Sequence, residues 1–546
     1  MKTKSILLRV LIGAAAVFVA YWFALPALNL ASKGFWFFLL FILAVVALLT
    51  VPTPAAFAVA DYVNARVNGK GFKRRGERVA NELGSRRLVL RICGIAAAAI
   101  VAFLLVGSLI GAHLFNAAAY RDLLPLADGD FAQDVAELQM SQIPVVDRDT
   151  ASRLGSRKLG EMKDLVSQFD IEQDYTQINF GGVPTRVTPL AYADIIKWAY
   201  NQKNGLPGYL MVDMATQETT LVRFANGGMK YSRSDILTRD ITRHLRFNYP
   251  TAIFDEISFE IDEDGTPYWV ASVVRYRVGI WGGKDIKGAV LCNAITGKCD
   301  YYPIESVPQW VDQAYSTSMV LDQLTDHGAY IYGFWNSVFG QREVLQPTEG
   351  YNYVAVDDDV WVYTGMTSVV ADESNVGFVL INLRTKEGRF YAVPGAEEYS
   401  AMASAEGQVQ NLHYVSTFPI LLNVADRPTY FMALKDSAGL SKMYAFVDVE
   451  HYQVVATGYT VDEARANYSA KLSSDESIET KETEVRGVIE AVSQAVIDGN
   501  TRYYLLLDGT VYRADIALSD RLPFVKAGDT VAFTADESGR IVAWLE

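Results

Sequence analysis

Cys292 and Cys299 stand at equal distances on either side of segment 293–298, so a two-strand ladder closing there places them opposite each other. Facing thiols can oxidise or bind a soft metal. In an oxidising compartment a disulfide is the expected state, against two free thiols, and closing so small a loop stabilises by about 2–3 kcal/mol. Zinc would need two more soft ligands, and none lies nearby. Cys93 sits inside an apolar run and reads as a small apolar side chain.

The five histidines, His113, His244, His327, His413 and His451, form no His-x-x-x-His pair. The chain also lacks a Gly-x-Ser-x-Gly elbow and a phosphate-binding Gly-x-x-x-x-Gly-Lys-Ser/Thr loop. His244, on an expected helix, is read as a surface or capping residue. Two acidic runs, Asp262-Glu263-Asp264-Gly265 and Asp357-Asp358-Asp359, have the oxygen ligands that Ca²⁺ uses. Neither is a full calcium loop, and the first reads as a hairpin turn between two strands. Paired catalytic acids stay open, because their spacing exists only in the fold. Trp281, Trp310, Trp335 and Trp361 suit sugar or peptide stacking if exposed and packing if buried; core is the expectation. No catalytic residue, cofactor or metal ligand is assigned.

The elements that position these residues belong to two regions of opposite charge. Residues 1–119 hold 13 Lys+Arg against 3 Asp+Glu; the whole chain of 546 residues carries −14, which leaves −24 on the remainder. An acidic bulk argues against nucleic-acid binding, and 50% hydrophobic content excludes disorder. Three apolar runs, 7–30, 35–59 and 88–115, are long enough to cross a bilayer. Lys2, Lys4 and Arg9 open the first, while Arg66, Lys70, Lys73, Arg74, Arg75, Arg78, Arg86 and Arg87 crowd the connection before the third. Cations stay on the cytoplasmic side, so everything after about residue 119 is expected outside. Ser85-Arg86-Arg87 resembles a twin-arginine export signal, but it follows two other spans and an uncleaved third anchor is expected. Apart from Arg91 and His113 near span ends, the spans carry no ionisable residue of the kind a transport path needs.

Beyond the spans, helices are expected over 131–140, 151–169 and 190–202. One pattern then recurs: GYLMVDMATQETTLVRF from Gly208, KGAVLCNAITGKCDYYP from Lys287, VGFVLINLRTKEGRFYAV from Val376 and KMYAFVDVEHYQVVATG from Lys442. Each is an apolar strand, a polar turn opened by Asp or Asn, and a second strand, which suggests duplicated α+β units. An acidic stretch follows Tyr468. Five short strands, 486–492, 502–507, 510–514, 530–535 and 541–545, then suggest a small barrel.

The hairpins resemble the strand pair of PepSY-type domains, best at 291–302, where Asn293 and Thr296-Gly297 occupy the turn. With Arg157-Lys158-Leu159-Gly160, His244-Leu245-Arg246-Phe247, Tyr249-Pro250 and Ser400-Ala401-Met402, the chain also resembles uncharacterised membrane-anchored envelope proteins of Gram-positive bacteria. The resemblance implies a location and an architecture, and PepSY modules are thought to restrain peptidases. The expected fold is α+β: a membrane domain of three transmembrane helices (1–119), tandem PepSY-like units (120–230, 231–340 and 341–470), an acidic linker (471–484) and an OB-like β-barrel (485–546). The expected role is binding or scaffolding at the cell membrane, with membrane lipid and an envelope protein or cell-wall component as partners, no nucleic acid and no cofactor. A peptidase or an envelope complex would be what it regulates. A wall-acting hydrolase with converging carboxylates, and a transmembrane sensor or assembly factor, are the alternatives.

Overall fold

The structure, a computed structural model, describes residues 2–50, 72–137, 143–225, 227–356, 358–369, 371–472, 483–497, 500–519, 521–535, 539 and 541–545. Arg66 and Lys70 of the basic connection, Asp357 and most of the acidic linker lie outside the described residues. The chain divides into two compact units, Met1–Pro394 and Gly395–Glu546.

Three helices near the N-terminus, Lys2–Ala24, Lys33–Thr50 and Phe72–Ile110, each contain a stretch long and apolar enough to cross a membrane. Their side chains, Leu8, Phe18, Phe37 and Leu105 among them, stand exposed, as a lipid-facing surface requires. The third helix starts earlier than its apolar run and runs through basic sequence. It stops at Gly111, where a short helix His113–Arg121 begins, kinked at Asn116, whose Nδ2 donates to the carbonyls of Ile110 (2.8 Å) and Ala112 (3.0 Å).

One end of each span meets the β-rich part of the same unit. At the first, Leu28 N–H donates to Pro250 O (2.8 Å), Arg246 Nε donates to Leu25 O (2.9 Å) and the Arg243 guanidinium lies 4.4 Å from the Trp22 ring. At the second, Lys33 Nζ lies 5.8 Å from the Trp281 ring, and Trp36 packs on Phe103 of the third span (4.7 Å). At the third, a Cβ on Gly107 would fall 2.2 Å from Trp281, so only glycine lets the tip of hairpin 279–283 lie this close.

A helix followed by an antiparallel meander occurs four times. The helices are Arg148–Gly160, Ile241–Asn248, Thr317–Ala329 and Glu398–Gln408; the closing hairpins are Gly208–Asp213 with Thr219–Arg223, Gly282–Asn293 with Cys299–Pro303, Ala371–Asn382 with Gly388–Tyr391, and Ser441–Asp448 with Val455–Gly458. The first two helices start at Asp147 and Asp240, whose carboxylates accept from Thr150 N–H (2.9 Å) and Arg243 N–H (2.8 Å). Three of the turns agree bond for bond. The side-chain oxygen of Asp213, Asn293 or Asn382 accepts from the second and third following N–H groups, and Thr216, Thr296 or Thr385 then accepts from the second N–H beyond it. The next residue has positive φ: Gln217 (65°), Gly297 (76°) and Lys386 (64°). In all four, the residue after the Asx donates its N–H to the start of the second long strand (Met214 to Pro184, Ala294 to Pro267, Leu383 to Val360, Val449 to Pro428). Its carbonyl accepts from the chain leading into the helix, at Val145, Tyr231, Tyr315 and Ala396.

Helix Thr317–Ala329 inserts Met319, Val320 and Leu324 between Val270, Ile286 and Leu291 of one sheet and Val360, Val362 and Val379 of the next. The N-terminal helices differ from expectation. Among the described residues the first is only Phe131–Asp134, with 138–140 lying outside them; the second ends at Gly160, and 190–192 belong to strand Val183–Tyr192, whose near-continuous burial hides the alternation that marks a strand; Asp194 then caps helix Ile195–Asn201. At the C-terminus the expected strand 486–492 is two, Thr483–Val488 and Ala491–Ile497, because Ile489 and Glu490 turn from one ladder to the other, bonding to Asp529 and Leu506 respectively. Two three-stranded sheets result around Phe533, Leu505 and Ile541, and no closed barrel forms among the described residues.

Between the second and third repeats, Asp285 (1% exposed) receives Lys386 (2.7 Å), Arg275 (3.0 Å) and Arg277 (2.8 Å). Burial pushes its carboxyl up, but Lys386, Arg275 and the Ile286 N–H outweigh burial and hold it below the usual range. Asp285→Ala leaves the buried Lys386 ammonium without its carboxylate and is expected to cost about 3 kcal/mol, read by chemical denaturation of the detergent-solubilised chain.

Candidate functional site

The second repeat brings Cys292, Cys299 and His244 together. The register pairs Cys292 directly with Cys299. Asn293 N–H donates to Lys298 O (2.9 Å), so the cysteine pair one step along the ladder is a non-hydrogen-bonded one, where Cα atoms approach to about 4.5 Å. That spacing lies inside the disulfide range; here both cysteines are thiols. Helix Ile241–Asn248 lays His244 over the turn, and its donor nitrogen and the two sulfurs all lie within 4.8 Å of one another. Proximity along the chain had offered the cysteines no such neighbour.

This is a set of atoms able to hold a soft metal, one ligand short of tetrahedral closure. The local hydrogen bonding favours another use. His244 Nε2 lies 2.8 Å from Gly297 O, which only accepts, so this nitrogen carries the proton and has no lone pair to give. Tyr231 packs on the imidazole (4.3 Å), and a Cβ on Gly297 would strike that same tyrosine at 2.2 Å. A hydrogen bond from the Cys292 thiol, aided by His244 and opposed by burial, lowers Cys299 to about 6. The same bond, with burial, pushes Cys292 far up. Burial alone would lower His244, but Cys299 and the Gly297 carbonyl outweigh it and raise it. Cys299 is half-buried and Cys292 fully buried.

A second cluster, invisible in the sequence, joins Glu260 and Asp312, 0% and 2% exposed. Asp312 N–H (2.8 Å) and Ser258 Oγ (2.7 Å) donate to Glu260, and Asn179 N–H donates to Asp312 (2.8 Å). Burial drives Glu260 up to about 7, and burial with the Glu260 charge holds Asp312 well above the carboxylate range. These are the raised, adjacent carboxyls that a hydrolase would use, yet they are sealed. A pocket of about 310 Å³ in the same unit is lined instead by Leu321, Asp322, Thr325, Gln346, Tyr351 and Thr364 among others, with neither carboxyl at its wall.

The acidic runs fall elsewhere in kind. Asp262 Oδ1 accepts from Asp264 N–H (3.1 Å) and Thr266 N–H (2.8 Å), closing a hairpin turn at Gly265. Asp359 holds Arg384 (2.6 Å) and Asn382 (2.7 Å), and Asp358 accepts from Asn179 Nδ2 (2.9 Å). Trp281 and Trp361 are buried, while Trp335 stands exposed beside Phe339.

No protein-family model matches the chain, and no curated protein matches it. Among solved structures a mutant levansucrase of B. megaterium is similar over 76% of this chain and 93% of that one, at 9% identity and a TM-score of 0.17, too slight a likeness to carry an argument.

Glu260 and Asp312 hold protons in the fold at pH values where an unfolded carboxyl has lost them. The folded state therefore binds more protons, and stability falls as pH rises from about 4.5 through about 7. Denaturation of the solubilised chain at pH 5 and pH 8 should differ by on the order of 3 kcal/mol from Glu260 alone, and Glu260→Gln should flatten that slope.

Proposed function

We propose that the chain is a membrane-anchored protein of the bacterial cell envelope whose acidic repeats lie outside the cytoplasm and bind an envelope protein or cell-wall component. One observation carries this reading: the Leu25, Lys33 and Gly107 ends of three membrane-length helices all meet the β-rich part of their unit. The opposite ends, near Lys2, Thr50 and Phe72, adjoin the basic sequence that stays cytoplasmic. Arg9 donates to Leu49 O (2.9 Å), tying two of those ends together.

The recurring hairpins and the helix preceding each support a PepSY-like duplication, and by analogy of fold the partner is a peptidase or a complex that it restrains. A hydrolase reading lacks an open site at Glu260 and Asp312.

In a background without the native cysteines, Tyr452→Cys is expected to react with a membrane-impermeant maleimide on intact cells, and Lys70→Cys only after lysis. The reverse pattern would invert the placement.

A further inference from the structure

We propose that Cys299, Cys292 and His244 form a thiol–disulfide exchange site, with Cys299 as nucleophile, Cys292 as resolving thiol and an external disulfide as substrate. The geometry separates the two sulfurs by role. Cys299 is half-buried and reachable, whereas Cys292, fully buried behind it, meets no reagent except through Cys299. Their non-hydrogen-bonded register lets the bond form without moving either strand. The turn is held rigid by Asn293, which accepts from Ile295 N–H (3.0 Å) and Thr296 N–H (2.8 Å). The His244 imidazole is fixed from two sides, and its helix is braced by Asn248. Gly297 O accepts from its Nε2, the Tyr231 ring packs on it, and Asn248 Nδ2 donates to its carbonyl (2.9 Å).

In the forward direction the Cys299 thiolate attacks one sulfur of R–S–S–R. That S–S bond breaks, and the leaving thiolate takes the proton of the His244 imidazolium, giving R–SH and a mixed disulfide on Cys299. Cys292 passes its proton to the neutral imidazole and attacks the Cys299 sulfur. The Cys292–Cys299 bond forms, the second R–S⁻ departs and is protonated by His244. One external disulfide is reduced to two thiols while the protein dithiol is oxidised by two electrons.

The full chain with Cys93→Ser, in detergent, is equilibrated in buffers of varied reduced and oxidised glutathione, alkylated and digested with trypsin. Cleavage after Lys298 separates the two cysteines, so only the disulfide form yields joined peptides. The expected result is a reversible transition within the glutathione range. At pH 6.5, iodoacetamide should modify Cys299 about fivefold faster than a free cysteine, the larger thiolate fraction being partly offset by weaker basicity. His244→Asn should lessen that advantage and shift the inflection of the rate–pH curve upward; the wild-type curve gives the same information should this variant fold poorly. A disulfide that persists at every glutathione ratio, an alkylation rate no higher than that of a free cysteine, or one tightly held Zn²⁺ per chain would overturn the proposal. An arm using a disulfide-bonded peptide in place of oxidised glutathione distinguishes a protein substrate from a small one, faster oxidation marking the preferred source.

Discussion

The carbonyl that follows each turn Asx is the fixed point of the fold. A helix cannot be laid across a sheet unless the backbone groups of its lead-in find partners there, since a buried unpaired amide costs about 1–3 kcal/mol. Met214, Ala294, Leu383 and Val449 supply that acceptor, and each also donates its own N–H to the start of a long strand. One residue thus joins three segments of a repeat. The Asx before it fixes the turn in three repeats, and in the fourth Asp448 accepts from His451 N–H (2.7 Å) across a turn one residue longer.

Because that junction rests on backbone and one Asx side chain, the remaining turn positions are free to differ. In the second repeat they flank a dithiol under His244. The third puts Lys386, at positive φ, onto Asp285 of its neighbour. In the fourth, Asp448 takes Arg427 (2.8 Å) and the Tyr468 hydroxyl (3.2 Å). A common frame carrying different polar groups is what duplication followed by divergence produces, and it explains why identity between the hairpins is low while their hydrogen bonding agrees.

The hairpins were legible in the sequence because their signal is local: an apolar run, an Asx, a Thr and a residue tolerant of positive φ within a dozen positions. The facing of Cys292 and Cys299 was legible for the same reason, following from symmetry about one turn. The apolar spans were legible from length, although the break at Gly111 fell inside a run that Leu114 and Phe115 carry on beyond it. His244 was not, since it reaches the cysteines from another element and nothing near either marks the other. Glu260 and Asp312 gave no signal either; Glu260 sits in a strand buried on both faces, where period-two alternation vanishes and an inward carboxyl looks like an outward one. At the C-terminus no closed barrel forms among the described residues; Ile489 and Glu490 read as strand by composition, and only pairing partners reveal that the chain changes sheets there.

Helix Ile241–Asn248 links the two halves of the molecule's chemistry. Arg243, Arg246 and Phe247 face the first span, where Arg246 holds the Leu25 carbonyl and Phe247 stacks on Tyr21 (6.5 Å). His244 and Asn248, on the other side of the same two turns, face the dithiol hairpin. A helix of this length moves as one body, with its intrahelical bonds intact. The same two turns therefore place His244 at the dithiol hairpin and Arg246 on the Leu25 carbonyl that closes the end of the span.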